Sequence, residues 1–267
     1  MSALPLRRNQ VEILAGAAPT PSGKEVEVRE PAWVETPTST KIMAALEFAR
    51  TTPTIAIVFG AAGCSKTTAA RRYAEDRKWG KGSAYYVCAG RFNRSPTAIL
   101  HLIAEATGDY IGGYRNDSIA RSVLERVRER SLFIIDEAQH LDADALDGVR
   151  YFFDAGKIGI AYLGNEEVYT RISRKGRRAA FAQLHSRVGM RLHVQRPTDE
   201  DVDAVLAAWG IRGRRERDYA LQIASQPGGL RTLSQVLRQA SIYAAETKRI
   251  VDRGILSAAA EMLGLVD

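Results

Sequence analysis

Two stretches of the chain hold side chains whose types and spacing can do chemistry together. The first is Gly60-Ala61-Ala62-Gly63-Cys64-Ser65-Lys66-Thr67-Thr68, which follows an apolar run at 55–59 and leads into a helix starting at Lys66 or Thr67. Strand, glycine-bearing loop and helix in that order form a phosphate-binding loop, usually spelled G-x-x-x-x-G-K-[ST]. Small residues let successive backbone N–H groups curl around a polyphosphate, and the helix N-terminus adds its partial positive charge. Lys66 then reaches the outer phosphates, and Thr67 supplies the hydroxyl expected to hold Mg²⁺. Ser65 stands where the second glycine is usual. Serine still lets its N–H face a phosphate if the backbone there is not restricted to glycine.

The second stretch is Asp136-Glu137, which closes an apolar run at 132–135. In open α/β sheets ligands bind at the carboxyl ends of the strands, so the acidic pair and the phosphate loop are expected to converge. Asp136 is expected to complete the magnesium shell through water, and Glu137 to polarise the attacking water as general base. A further strand at 159–163 ends in Gly164-Asn165, which brings Asn165 beside the γ-phosphate with a side chain able to orient that water.

The elements that must position these groups alternate. Thr38 or Ser39 is expected to cap a helix through Arg50, with Ile42, Met43, Leu46 and Phe48 apolar. Strands are expected at 84–89 and 188–194, the latter just after Ser186-Arg187, and helices at 96–107, 117–130 and 142–154. Ser95-Pro96, as N-cap and first helical residue, starts the first of those helices. From Thr198 the pattern is helical only, at about 199–208, 214–225, 229–247 and 252–263. The division expected is therefore an arm at 1–37, rich in proline and without periodicity, an α/β nucleotide-binding domain at 38–197 and a small α-helical domain at 198–267. Trp33 and Val34 either anchor the arm or cover a nucleotide base.

Composition bounds the partners. Hydrophobic residues make up 45% of the 267, ordinary for a globular protein, but Lys plus Arg number 38 against 31 Asp plus Glu, a net charge of +7. That excess suits a polyanion. Arg171 to Arg178 carries five basic residues, read either as a phosphate-facing patch or as a solvated loop. Two cysteines, Cys64 and Cys88, make no disulfide framework and fit a reducing cytoplasm. Cys64 reads as a small loop residue or a redox switch. No apolar run reaches the length of a membrane span, and the first residues lack a signal-peptide core, so a soluble cytoplasmic protein is expected.

Phosphate loop, acidic strand end, Asn-ended strand, Ser186-Arg187 at the domain edge and Gly228-Gly229-Leu230-Arg231 opening a helix occur in the order used by AAA+ ATPases, which the chain resembles from about 38 to 263. The resemblance implies a parallel sheet flanked by helices and followed by a small helical lid. It also implies ATP with Mg²⁺ as ligands, hydrolysis as activity, Asn165 as sensor 1, Arg231 as sensor 2 and Arg187 as the arginine finger offered to a neighbouring subunit. Within the superfamily the lead-in around Trp33, Ile135-Asp136-Glu137-Ala138-Gln139-His140-Leu141 and Ser186-Arg187-Val188-Gly189-Met190-Arg191 resemble transposition ATPases of the phage Mu B and TnsC type. Without an amino-terminal helix-turn-helix the chain is more similar to a minimal TnsC-like core. The likeness implies a homo-oligomer, ring or helical filament, on duplex DNA of any sequence in the bacterial nucleoid. It implies recruitment of a transposase, and disassembly on hydrolysis.

Nonspecific DNA binding needs Lys and Arg aimed at phosphates. Arg91, Asn93 and Arg94 in one loop and Tyr114 and Arg115 in another are the candidates. Two other readings stay open. A nucleotide-gated signalling or loading module acting on proteins fits the same ATP site and needs no DNA. Asp136-Glu137-Ala138-Gln139 also reads like a helicase box, but a helicase of that type needs a second motor domain.

Overall fold

A computed structural model describes residues 30–76, 83–108, 115–173 and 184–265. Its backbone contacts divide the chain into two units, one of residues 33–234 and one comprising residues up to 32 and from 235 onward.

The first unit is built on five parallel strands, β1 Ile55–Gly60, β2 Ala84–Cys88, β3 Leu132–Asp136, β4 Gly159–Gly164 and β5 Val188–Val194, in the order β2-β3-β4-β1-β5. The three inner strands are buried along their whole length, which is why they read as unbroken apolar runs rather than alternating ones. The outer strands β2 and β5 are only partly buried, and β5 alternates, turning Gly189, Arg191 and His193 outward.

Helices cover both faces: α1 Pro37–Thr51, α2 Lys66–Glu75, α3 Pro96–Ala106, α4 Asn116–Arg126, α5 Ala143–Gly156 and α6 Glu166–Ser173. Strand alternation sends Ile57, Phe133, Ile135 and Tyr162 to the face under α3, α4 and α5, and Val58, Ile134 and Leu163 to the face under α1 and α2. Helices α7 Asp199–Ala208 and α8 Arg214–Ser225 follow, then the long α9 Gly229–Thr247 and finally α10 Arg253–Met262. In the second unit Arg238 pairs with Glu30 at 2.7 Å, and the Asp252 side chain caps α10 by accepting from the Ile255 N–H. Among the described residues no helix is long and apolar enough to cross a membrane.

Several expected boundaries move. The cap of α1 is Thr36, not Thr38 or Ser39: Pro37 takes the first helical position, and Thr36 and Ser39 exchange hydrogen bonds in a capping box. Thr38 is thereby freed to donate its N–H and hydroxyl to the buried Asp201 carboxylate at 2.8 and 2.5 Å. Phe48 is 39% exposed and does not belong to the apolar face of α1. Helix α4 begins at Asn116, before the expected cap Asp117, and ends at Arg126 instead of Arg130. Val127 is extended there, and Arg130 turns the chain into β3 at φ 60°. The predicted helices from 199 onward match α7 to α10 closely.

Candidate nucleotide-binding site

The phosphate loop connects β1 to α2, and its geometry rests on three left-handed or glycine-like positions. Gly60 has φ +133°, Gly63 +76° and Ser65 62° with ψ 10°. Ser65 thus sits in the left-handed region, which an L-residue reaches at a cost of about 1–2 kcal/mol. The loop therefore adopts its turn without the second glycine.

Lys66, in the first turn of α2, folds its ammonium back on the loop and donates to the Gly60 and Ala61 carbonyls at 2.9 and 2.5 Å. Burial pulls its pKa below the usual lysine range, against the pull of Cys64, Asp136, Glu137 and Glu166, which favour the charged form. Thr67 is half-buried beside it, while Ala61, Ala62 and Thr68 are exposed. Cys64 is buried, and that burial pushes its thiol up, so it behaves as a packed loop residue rather than a reactive thiolate.

Asp136, at the carboxyl end of β3, is 1% exposed. Its two oxygens accept from the Tyr86 hydroxyl at 2.8 Å and from the Glu137 N–H at 2.9 Å. Tyr86 is held in turn under the Arg71 guanidinium, 5.1 Å from the ring centre. Burial drives the phenol pKa well above its ordinary value; Asp136 adds to that rise and Arg71 opposes it. Phenol and carboxylate thus form a fixed donor–acceptor pair.

Glu137 has φ 53°, a left-handed position that swings its side chain out of line with the strand. The Gln139 amide donates to its carboxylate, and the Gln139 Oε1 accepts from the Asn165 N–H at 3.4 Å. Room for this amide comes from Gly164, where a Cβ would lie 2.3 Å from Gln139 Oε1. Arg171 of α6 donates to the Gln139 carbonyl at 2.9 Å. Gln139 therefore stitches the ends of β3 and β4, and brings Glu137 and Asn165 together. The Asn165 Oδ1 is occupied as an acceptor for the Glu167 N–H at 2.9 Å, at the start of α6.

A cleft of about 740 Å³ opens beside the loop, lined by Gly60, Ala61, Ala62, Asn165, Glu166 and His193 among others. From the helical side, the Leu230 N–H donates to the Gly63 carbonyl at 3.0 Å, and Gly228 approaches so closely that a Cβ on Gly63 would fall 1.7 Å from its carbonyl oxygen. This contact sets the exposed Arg231 one residue from a direct bond to the phosphate loop.

Other expected residues lie elsewhere. Arg187 is not brought to the loop of its own chain; it sits at the amino end of β5, where its carbonyl accepts from the Ile55 N–H at 3.2 Å and its guanidinium meets Asp154 at 2.6 Å. Trp33 packs against the α1–α2 side of the core, and Val34 is half-buried beside it. Asn93 is engaged within its own loop, Arg94 pairs with Asp142 before α5 at 2.8 Å, and Arg115 pairs with Asp117 at 3.2 Å. Arg91 is exposed. Tyr114 lies outside the described residues, as do Arg174, Lys175, Arg177 and Arg178 of the basic run.

Comparison with known proteins bears on the whole arrangement. Residues 49–172 match an AAA domain family, and residues 186–263 match the family described as Mu B transposition protein, C terminal. The chain is 33% identical over 215 residues to the ATP-dependent target DNA activator B of Escherichia phage Mu, covering 80% of this chain and 68% of that protein. It belongs to the Mu B transposition-protein family.

A second member of that family, the Mu-like prophage FluMu DNA transposition protein B of Haemophilus influenzae, is 34% identical over 221 residues, covering 79% of this chain and 75% of the other. Among solved structures, Cdc6p from Pyrobaculum aerophilum superposes with a TM-score of 0.64 at 18% identity, covering 88% of this chain and 70% of that one, a likeness of fold. The fold is that of an AAA+ domain, as the order of motifs implies. Within the site, the roles of Tyr86 and Gln139 escaped the sequence reading, as did the buried Asp201 outside it. Only Gln139 had a signal, its place two residues after Glu137.

Proposed function

We propose that the chain is an ATP-hydrolysing switch that assembles on duplex DNA in its ATP state, recruits or activates a transposase there, and disassembles on hydrolysis. The observation that carries this reading is that Lys66 lies within electrostatic reach of Asp136 and Glu137 in a chain one-third identical to an ATP-dependent target DNA activator.

In this mechanism residues 38–197 hold the nucleotide, 198–267 act as a lid, and the arm up to 37 contributes Trp33 and Val34 over the base. The backbone of residues 60–68 cradles the phosphates, and Lys66 leaves the Gly60 and Ala61 carbonyls for the outer ones. The Thr67 hydroxyl and the Asp136 carboxylate are hard oxygen donors of the kind Mg²⁺ takes beside phosphate oxygens. Among the described residues no group of three or more His, Cys, Asp or Glu could hold a metal ion. When bound, Mg²⁺ offsets charge on the transferred phosphoryl group. Glu137, oriented by Gln139, takes the proton of the attacking water, and Asn165 with its remaining amide group aligns that water. Arg231 reaches the phosphates from the lid. Arg187 serves the nucleotide of an adjoining subunit, since it lies away from its own.

Electron microscopy of the protein with duplex DNA tests the proposal. A nonhydrolysable ATP analogue should give regular oligomers, and omission of nucleotide none. ATP turnover unaffected by DNA, with no such oligomers, would favour the alternative of a nucleotide-gated module acting on protein partners.

A further inference from the structure

Between β2 and α3 the chain makes a short turn, Gly90-Arg91-Phe92-Asn93-Arg94, that is braced at three points. At its foot the Ala89 N–H donates to the Asp136 carbonyl at 2.9 Å. Across it, the Gly90 N–H donates to the Asn93 Oδ1, and the Asn93 N–H donates back to the Gly90 carbonyl at 3.2 Å. On its far side Arg94 makes two bonds to one Asp142 oxygen at 3.0 and 2.8 Å, while the Asp142 N–H returns to the Arg94 carbonyl at 2.9 Å. Asn93 and Arg94 are thus spent on holding the turn.

What the brace presents is Arg91 and Phe92. The Phe92 side chain is fully in water, at 103% relative exposure, the most exposed large apolar residue of the described chain. Leaving such a ring in solvent forgoes the burial free energy a phenylalanine ordinarily contributes. A rigid turn gives it no route back to the core. Beside it, Arg91 is exposed and meets no carboxylate among the described residues, and the acid at the turn, Asp142, is already neutralised by Arg94. An apolar wedge next to an unneutralised guanidinium suits a surface that is anionic outside and apolar within. Duplex DNA has that character: phosphates take the cation, and an inserted side chain partly unstacks a base step.

We propose that Phe92 wedges against a base step of duplex DNA while Arg91 takes a neighbouring phosphate, with Asn93 and Arg94 as the brace that keeps the wedge erect. This inference rests on the duplex-DNA reading above and narrows the contact in this loop from Arg91, Asn93 and Arg94 to Arg91 and Phe92.

The test uses the full chain with a nonhydrolysable ATP analogue and a fluorescent duplex, read by anisotropy over a salt series. Phe92→Ala should weaken binding about tenfold with the salt slope unchanged, and Phe92→Tyr should restore it. Arg91→Ala should reduce the slope of log affinity against log salt by about one. A duplex carrying 2-aminopurine should brighten with the wild type and stay dark with Phe92→Ala. Equal affinity and equal brightening of wild type and Phe92→Ala would overturn the wedge while leaving DNA binding intact. Loss of nucleotide-dependent self-association by Phe92→Ala without DNA would also overturn it, assigning the ring to a protein contact. If the wild type itself takes up no duplex, the duplex reading falls and the wedge with it.

Discussion

The Leu230 N–H and the Gly63 carbonyl are hydrogen-bonded at 3.0 Å, so the start of α9 and the middle of the phosphate loop form one piece of backbone. Contact this close is possible because Gly63 carries no Cβ. Loop shape and helix position are therefore coupled before any side chain takes part.

Gly63→Ala follows directly. The added methyl would stand 1.7 Å from the Gly228 carbonyl oxygen, and its φ of +76° disfavours alanine as well. The variant should remain folded through its intact sheet but lose at least tenfold in ATP affinity. Calorimetric titration of ATP into wild type and variant checks this.

Lys66→Ala removes the ammonium that now rests on the Gly60 and Ala61 carbonyls. Nucleotide-dependent assembly should disappear, while melting temperature should stay within a few degrees because a partly desolvated charge is lost along with its bonds. Light scattering with and without ATP gives the answer.

Glu137→Gln should bind ATP yet turn it over at least a hundredfold more slowly, so that assemblies persist. Gln139→Leu should reduce turnover by a smaller factor, about tenfold, with ATP affinity nearly unchanged, because Glu137 remains but is no longer oriented. A parallel loss of affinity and rate in Gln139→Leu would argue for a merely structural amide. Steady-state phosphate release with nucleotide titration separates the two.

Arg187→Ala should leave ATP binding by the isolated subunit intact and lower turnover of the oligomer. Losing its partly exposed pair with Asp154 should cost only about 0–1 kcal/mol in stability. Measuring turnover against protein concentration distinguishes the effects: the deficit should appear only where subunits meet.

Asp201 predicts a pH dependence of stability. Burial works to raise its carboxyl, but hydrogen bonds from Thr38 and Thr198 outweigh that and hold it below the usual carboxylate range. A carboxyl depressed by folding stabilises the native state above its unfolded pKa of about 3.9, and the contribution is lost as pH falls through the lower folded value. Denaturant unfolding should therefore weaken below about pH 4. Asp201→Asn should flatten that limb and cost about 2–4 kcal/mol at pH 7, since it leaves the buried Thr38 donors poorly matched.

Legibility in the sequence tracked contiguity. The loop at 60–68, the acid pair at 136–137 and the strand ending at Asn165 are each written in neighbouring residues, and unbroken apolar runs marked the inner strands. Helices after Thr198 were equally plain because their apolar periods are long. Contacts between distant positions left no such trace: Asp201 reaches Thr38 across 163 positions, and Tyr86 reaches Asp136 across 50. The αL geometry of Ser65 was also hidden, because residue type alone does not say whether a serine will tolerate a positive φ. Asn93 and Arg94 illustrate the converse, since a basic or polar residue in a loop looks the same in sequence whether it faces a ligand or braces its own turn.

The Ile55 N–H that bonds to the Arg187 carbonyl belongs to the first residue of β1, and Gly60, at the other end of that strand, opens the phosphate loop. A strand of this length spans about 17–20 Å and, gripped by β4 and β5 on either side, does not stretch. A displacement of the Arg187 backbone is thereby passed along a stiff strut to the glycine that opens the loop. The amino end of β5 and the turn after β1 are in this way joined by a single rod of main chain.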